Sequence, residues 1–419
     1  MYRKNISLSG SIFFVVCILL VVSSCVKDTV KQTSTNTYTY TITTPVYATK
    51  SEFLASLNGN TNEPVKSAGK LYIKDQFIYL NEVNKGIHVI DNSNPSRPTQ
   101  IAFLKIPGNL DIAVKGNTLY ADTYTDLLAI DISNPKKVTL IKSIANFFQS
   151  RIYYNNNNNN LMVVDLKTKD TTVEYTSCAN CLYALSNSTT PSANATAAKS
   201  NGTAGSMASI VLMKDYLYAI REPHSIGIVN VSTPTDLRQD TTFYAGYDLQ
   251  TIYPFEDKLF LGSMSGMYMY DMTNPVKPIK LGQFTHGRAC DPVVTDGTYA
   301  YVTLHAGTTC GGADNELNVV DVKDLMNPAL VKTYPLTKPT GLSKDGNLLF
   351  VCDDDSGVRL YDATTADNLK QLNKIDITGS YDVIAGGNHL MVVTKNGLYQ
   401  YDYSDVSKIK QLSVFSLSN

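Results

Sequence analysis

Three observations predict an all-β chain folded as a seven-bladed β-propeller of four-stranded antiparallel blades. A strand-ending segment recurs seven times, most of its intervals are close to forty residues, and each unit divides into four short runs of β-favouring residues. The segments read HVIDNSNP at 88–95, LAIDISNP at 128–135, GIVNVSTP at 227–234, YMYDMTNP at 268–275, NVVDVKDLMNP at 318–328, RLYDATTADN at 359–368 and YQYDYSDVSK at 399–408. Their anchors are Asp91, Asp131, Asn230, Asp271, Asp321, Asp362 and Asp402, at intervals of 40, 99, 41, 50, 41 and 40 residues. The long interval predicts an insertion between blades two and three, about 147–205. The interval of 50 predicts an extended loop, 305–316, in blade five. Tyr is abundant at 27 and favours half-buried pleated strands.

Blade two shows how each unit is read. Strands are predicted over 111–114, 118–122, 127–131 and 138–143, with a turn at Lys115-Gly116-Asn117. Ser133-Asn134-Pro135 ends the third strand, because Pro cannot donate to a ladder and holds its predecessor extended. A lone unit cannot bury both faces, but stacked neighbours can. Val163-Val164-Asp165-Leu166 within the insertion leaves open a degenerate eighth blade.

The N-terminus supplies an address. Arg3 and Lys4 precede an apolar run at 12–22, short for a membrane span. Val22-Ser23-Ser24-Cys25 then resembles the lipobox of bacterial lipoproteins, which implies a signal peptide over 1–24 and lipidation of Cys25. Stable anchoring takes more than one acyl chain, a need that a lipoprotein's several chains meet. The expected location is the cell envelope, as an outer-membrane lipoprotein facing the periplasm or the surface. Residues 25–68 read as lipidated Cys, Thr-rich tether and short helix, with a possible edge strand at 38–42, and 69–419 as the propeller. Thr49-Lys50-Ser51-Glu52 has capping-box spacing and predicts a helix over 50–57.

Segments 87–91, 127–131 and 317–321 resemble the LVIVD repeat, a propeller repeat of bacterial surface and secreted proteins. The phrases IHVIDNSNPSRP and IPGNLDIAVKGNTLYAD resemble a lipoprotein family of Bacteroidetes-type bacteria. That resemblance covers about 69–419 and implies fold and location, but no particular chemistry. The repeats lack WD dipeptides, and the absence of Trp disfavours quinoprotein propellers.

Alternating strand directions put the start of strand one at the same end as the connection from strand two to strand three. The insertion and the loop 305–316 both fall there. The residues opening strand one are Lys70, Asp111, Ser209, Thr251, Asp291, Gly341 and Asp382. Three carboxylates around a channel mouth can hold a cation through oxygen ligands or bind hydroxyl-rich groups, or they cap turns and meet channel water. No cofactor is otherwise expected. Arg288, His286 and His305 flank the irregular end of blade five and are candidates to meet there. Asp353-Asp354-Asp355 reads as a solvated turn.

Of seven cysteines, Cys290 and Cys310 are placed for a disulfide in exported protein, contributing roughly 3 kcal/mol in the loop-entropy view. Cys178-Ala-Asn-Cys181 has no second metal-ligand pair and no thioredoxin-like surroundings, which favours a local disulfide. Cys352, in an apolar run, reads as a buried thiol. The run 155–160, flanked by 152–154 and 161–165, suggests a protruding hairpin. The 17% charged content and net charge of −1 exclude a basic nucleic-acid-binding field.

No GxSxG, P-loop or Rossmann fingerprint occurs. The leading expectation is a lipid-anchored scaffold whose propeller presents one loop-rich face to a protein or glycan partner. The alternatives are an extracellular hydrolase or lyase using Asp111, Asp291, Asp382 or His305 at the channel mouth, and a purely structural envelope component.

Overall fold

Seven four-stranded sheets follow one another along the chain, each built from four consecutive strands in simple order. They occupy 68–105, 112–144, 210–244, 249–285, 293–335, 342–375 and 380–416. This is a seven-bladed β-propeller, seen in a computed structural model that describes residues 34–59, 63–151, 161–177, 206–288, 292–307 and 314–417. First strands of successive blades adjoin one another, which places them innermost. In blade two the strands are Ile112–Lys115, Thr118–Asp122, Leu127–Asp131 and Thr139–Ile144, within a residue or so of the sequence reading.

The recurrent segment has a physical reason. In every blade the third-to-fourth pairing slips just before the anchor residue, as at Val89/Ile90 in blade one and Leu360/Tyr361 in blade six. Such a bulge raises local twist, as a propeller blade requires. The anchor side chain then closes an Asx turn. Asp91 Oδ1 accepts from Ser93 N at 2.9 Å, and Asp131, Asp271, Asp321, Asp362 and Asp402 accept equivalently at 2.7–3.0 Å. Asn230 does the same in blade three, from Ser232 N at 3.0 Å.

These turns predict a pH dependence. Hydrogen bonds from the backbone and from neighbouring side chains hold the carboxyls of Asp91, Asp271, Asp321, Asp362 and Asp402 below their ordinary value of 3.8. A group with a depressed folded pKa stabilises fully above its unfolded value and loses that contribution as pH falls through the folded value. Thermal midpoints are therefore expected to hold across neutral pH and to fall below about pH 4. Replacing the five Asp by Asn, which closes the same turn at position 230, should flatten that acid limb. An unchanged limb contradicts the account.

No blade is shared between the two chain ends, so the ring closes through side chains. Asn92 and Gln400 exchange two amide hydrogen bonds, at 3.0 and 2.8 Å. Ser413 Oγ donates to Pro95 O at 2.6 Å, and Tyr381 donates to Ala68 O. Leu71, Ile78 and Leu80 of blade one pack with Ile384, Met391 and Val393 of blade seven in one buried cluster.

The helix spans Lys50–Leu57 with both halves of its capping box formed. Glu52 Oε2 accepts from Thr49 N at 2.7 Å, and Thr49 Oγ1 accepts from Glu52 N at 3.3 Å. Phe53 and Leu57 are buried in the core of blades one and two. Asn58 grips the backbone of Val138 through both amide atoms, and Gly59 N donates to Phe103 O at 3.0 Å.

The chain divides into two units, 45–167 with 191–419, which holds the blades, and 1–44 with 168–190. Ser34–Thr49 and Leu161–Ser177 form a two-stranded ribbon. In the smaller unit Thr41 Oγ1 donates to Asp170 Oδ1 at 2.6 Å. Two readings change here. The edge strand is longer than 38–42, and 161–165 belongs to a strand paired with 34–49. Both segments are rich in Thr, Val and Tyr, and each supplies the other with a partner for an otherwise open edge. The seven blades are complete without Val163–Leu166, which lie in this ribbon. Residues 152–160 lie outside the described residues, as do 178–205 and the signal segment with Cys25.

Candidate ligand-binding face

One end of the propeller carries every connection from strand two to strand three and from strand four to the next blade. Three of these junctions use the same device. A carboxylate at the end of strand two catches two backbone N–H groups of the incoming chain, and a cationic or histidine side chain covers its second face. Glu82 accepts from Ser67 N and Lys66 N, at 2.9 and 3.0 Å, and faces His88 Nε2 at 3.4 Å. Asp122 accepts from Leu110 N and Asp111 N, at 2.8 and 2.9 Å, and pairs with Arg151. Asp353 accepts from Thr337 N and Lys338 N, at 2.9 and 2.7 Å, and pairs with Arg359 at 2.7 Å. Burial pushes the Glu82 carboxyl up, but the bonds from His88, Lys66 and Ser67 outweigh it, and the group sits below the ordinary range. Asp353 and Asp354 are buried, which corrects the reading of a solvated turn at those two positions, while Asp355 is exposed as expected. Backbone donors at these junctions have no ladder partner, and the buried carboxylates supply charge-assisted acceptors for them.

Lys70 and Asp111, two of the predicted mouth residues, meet in a buried ion pair of 2.6 Å, with side chains 1% and 0% exposed. Asp111 Oδ2 also accepts from Ser209 N, Ser209 Oγ and Ile210 N at 2.7–2.8 Å. Lys70 Nζ donates to Ser209 Oγ at 3.0 Å. One carboxylate therefore ties together the inner strands of blades one, two and three. Burial pushes the Lys70 ammonium below its usual range, against the pull of Asp111. Gly341 and Asp382 adjoin between blades six and seven, where Gly341 N donates to Tyr381 O at 2.9 Å. A Cβ on Gly341 would stand 2.4 Å from Asp382 Oδ1, so the small residue is a packing requirement. Asp291 lies outside the described residues, with Cys290, Cys310, Cys178 and Cys181. Cys352 is buried, as its apolar strand predicts.

Arg288 and His305 have different neighbours. Arg288 is exposed and extends toward Met264 Sδ, at 4.0 Å. His305 sits near Lys338 and Asp354, and burial with the Lys338 charge pushes its pKa down. Asp354 accepts from Lys338 at 2.6 Å and from Lys395 at 3.0 Å. Among the described residues no group of three or more His, Cys, Asp or Glu is placed to hold a metal ion.

Sequence reasoning did not foresee Asp122, Asn109 and Arg151 in this network. Asn109 Nδ2 donates to Asp122 Oδ1 at 2.8 Å, and the Asn81 amide donates to Asn109 Oδ1 at 2.7 Å. The phrase IPGNLDIAVKGNTLYAD carries Asn109, Asp111 and Asp122 together, a signal that was visible. The first residues of the expected insertion are also not loop-like. Phe147 and Phe148 are buried edge to face at 4.8 Å, and the Arg151 guanidinium lies 3.9 Å from the centre of the Phe148 ring.

Three segments, 66–102, 109–146 and 286–335, match the LVIVD repeat family. Among solved structures, the chain is similar to a protein from Lactobacillus plantarum, at 12% identity over 84% of this chain and 95% of that one, with a TM-score of 0.54. Sqt1 of Saccharomyces cerevisiae matches at 10% identity over 85% and 87%, with a TM-score of 0.52. The computationally designed Ika8 protein matches at 9% over 84% and 88%, with a TM-score of 0.52. At such identities the likeness is one of fold. No curated protein matches the sequence.

Proposed function

We propose that this chain, a seven-bladed propeller carrying LVIVD repeats, is a binding scaffold of the cell envelope, anchored by lipid on Cys25 and presenting its loop-bearing face to a protein or glycan partner. The observation that carries this reading is the engagement of Asp111. Its Oδ2 takes four hydrogen bonds, one from the Lys70 ammonium, at no solvent exposure. A general acid or nucleophile must reach substrate, and this carboxylate is committed to joining blades. The same bonds make the loop-bearing end rigid, as a preorganised binding surface should be. Fold alone does not decide between binding and catalysis, since propellers host both.

The full-length chain, immobilised in detergent and given labelled envelope protein and polysaccharide, is expected to retain material without altering it. Release of cleavage products from that material by the purified wild-type chain would establish an enzyme instead. The anchor has its own test. Cys25→Ala is expected to lose incorporation of a palmitate analogue and to leave the membrane fraction. A variant that stays membrane-bound contradicts lipidation. Among the described residues no helix is long and apolar enough to cross a membrane.

A further inference from the structure

We infer that the aromatic cluster of His224, Tyr244 and Tyr247, on the loop-bearing end of blades three and four, is a carbohydrate-binding site. This rests on the reading of that end as the binding face, and it names the ligand class.

Tyr244 and Tyr247 are 68% and 57% exposed, although both sit beside a rigid junction. His224 stacks on Tyr247, with centroids 4.7 Å apart and planes 20° apart, and lies 6.3 Å from Tyr244. The segment 244–248 is pinned from both sides. Ala245 N donates to His224 O at 2.9 Å, and Leu249 N to Pro223 O at 2.7 Å. Tyr247 N donates to the Tyr268 hydroxyl at 3.3 Å, and Asp248 N to His224 Nδ1 at 3.4 Å. Gly246, at φ +147°, lies so close to Tyr268 that a Cβ would stand 2.5 Å from its ring. Asp248 holds a left-handed φ of 50°. The two tyrosines therefore project from a fixed base rather than from a mobile loop.

A tyrosine ring offers an electron-rich face to the weakly positive C–H groups of a pyranose, and its hydroxyl offers a polar tip. Holding two such rings in water loses their burial, so a rigid exposed pair signals a surface that something covers. The composition of the cluster selects the ligand. The propeller's exposed large aliphatic side chains, Ile279, Met326, Leu330, Leu372 and Val414, lie toward the opposite end or along outer strands. A protein-docking patch mixes aromatic anchors with Met and aliphatic contacts. Among the described residues, the large apolar side chains exposed at this cluster are tyrosines. The adjoining carboxylates of Glu222 and Asp248 are suited to accept hydrogen bonds from sugar hydroxyls.

The test is native affinity electrophoresis of the full-length chain in gels containing starch, laminarin, xylan, mannan or glycol chitin. Retardation by at least one polysaccharide is expected. Tyr244→Ala with Tyr247→Ala should weaken it about tenfold or more, while Tyr247→Phe and Met326→Ala should not. Unchanged circular dichroism and thermal midpoint would show the double variant to be folded. Retardation by none of the five, or equal retardation of the double variant, overturns the inference. If glycans fail while the immobilised chain still retains envelope protein, only the ligand class is wrong. If it retains nothing, the binding reading fails too.

Discussion

Asp111→Ala is expected to cost about 3–5 kcal/mol of folding stability, because it strands the Lys70 ammonium in a site with no solvent access. The change also leaves Ser209 N and Ile210 N without their acceptor. A buried ion pair contributes little against an apolar substitute, but breaking one leaves an uncompensated charge. The double variant Lys70→Met, Asp111→Asn removes the charge and keeps an oxygen for the two backbone donors. It should recover most of the loss. Urea unfolding followed by circular dichroism at pH 7 gives both numbers. A cost for the single variant near zero would show that this pair does not tie the three blades.

Phe148→Ala is expected to cost about 3–5 kcal/mol, the range for deleting a fully buried aromatic side chain. The cavity opens at the junction of blades two and three, and Arg151 loses the ring beneath it. Phe148 N is held by Thr125 O at 2.8 Å, so loosening the ring loosens the whole turn. Arg151 should then become a site of trypsin cleavage under conditions in which the wild-type chain is not cut there, read by mass mapping of fragments. A variant with wild-type stability and no cleavage at Arg151 would mean that this turn does not seal the junction.

The propeller was legible because its signals are local and repeated. Asp91 and its six counterparts each close a turn with the residue two places on, so one segment of sequence contains the whole device. The Thr49–Glu52 capping box is equally local. The ribbon was not legible, since pairing 34–49 with 161–177 depends on partners more than a hundred residues apart. The mouth residues were half legible. Equivalence between blades placed Lys70 and Asp111 at one level, but equivalence says nothing about which side chains meet. Lys70 lies 41 residues from Asp111 in sequence and 2.6 Å away in space. The rigid base beneath Tyr247 has the same origin, because it joins His224 and Asp248 from two connections with Tyr268 from a strand.

The central claim is that the end bearing the two-to-three connections is the working end. Photo-crosslinking in cells tests it directly. A photoreactive phenylalanine analogue replaces Tyr247 at that end, or Met326 in a turn at the opposite end, each in the full-length chain. The account predicts a covalent adduct with an envelope component from position 247 and none from position 326. Adducts from 326 alone, from both positions equally, or from neither would contradict it.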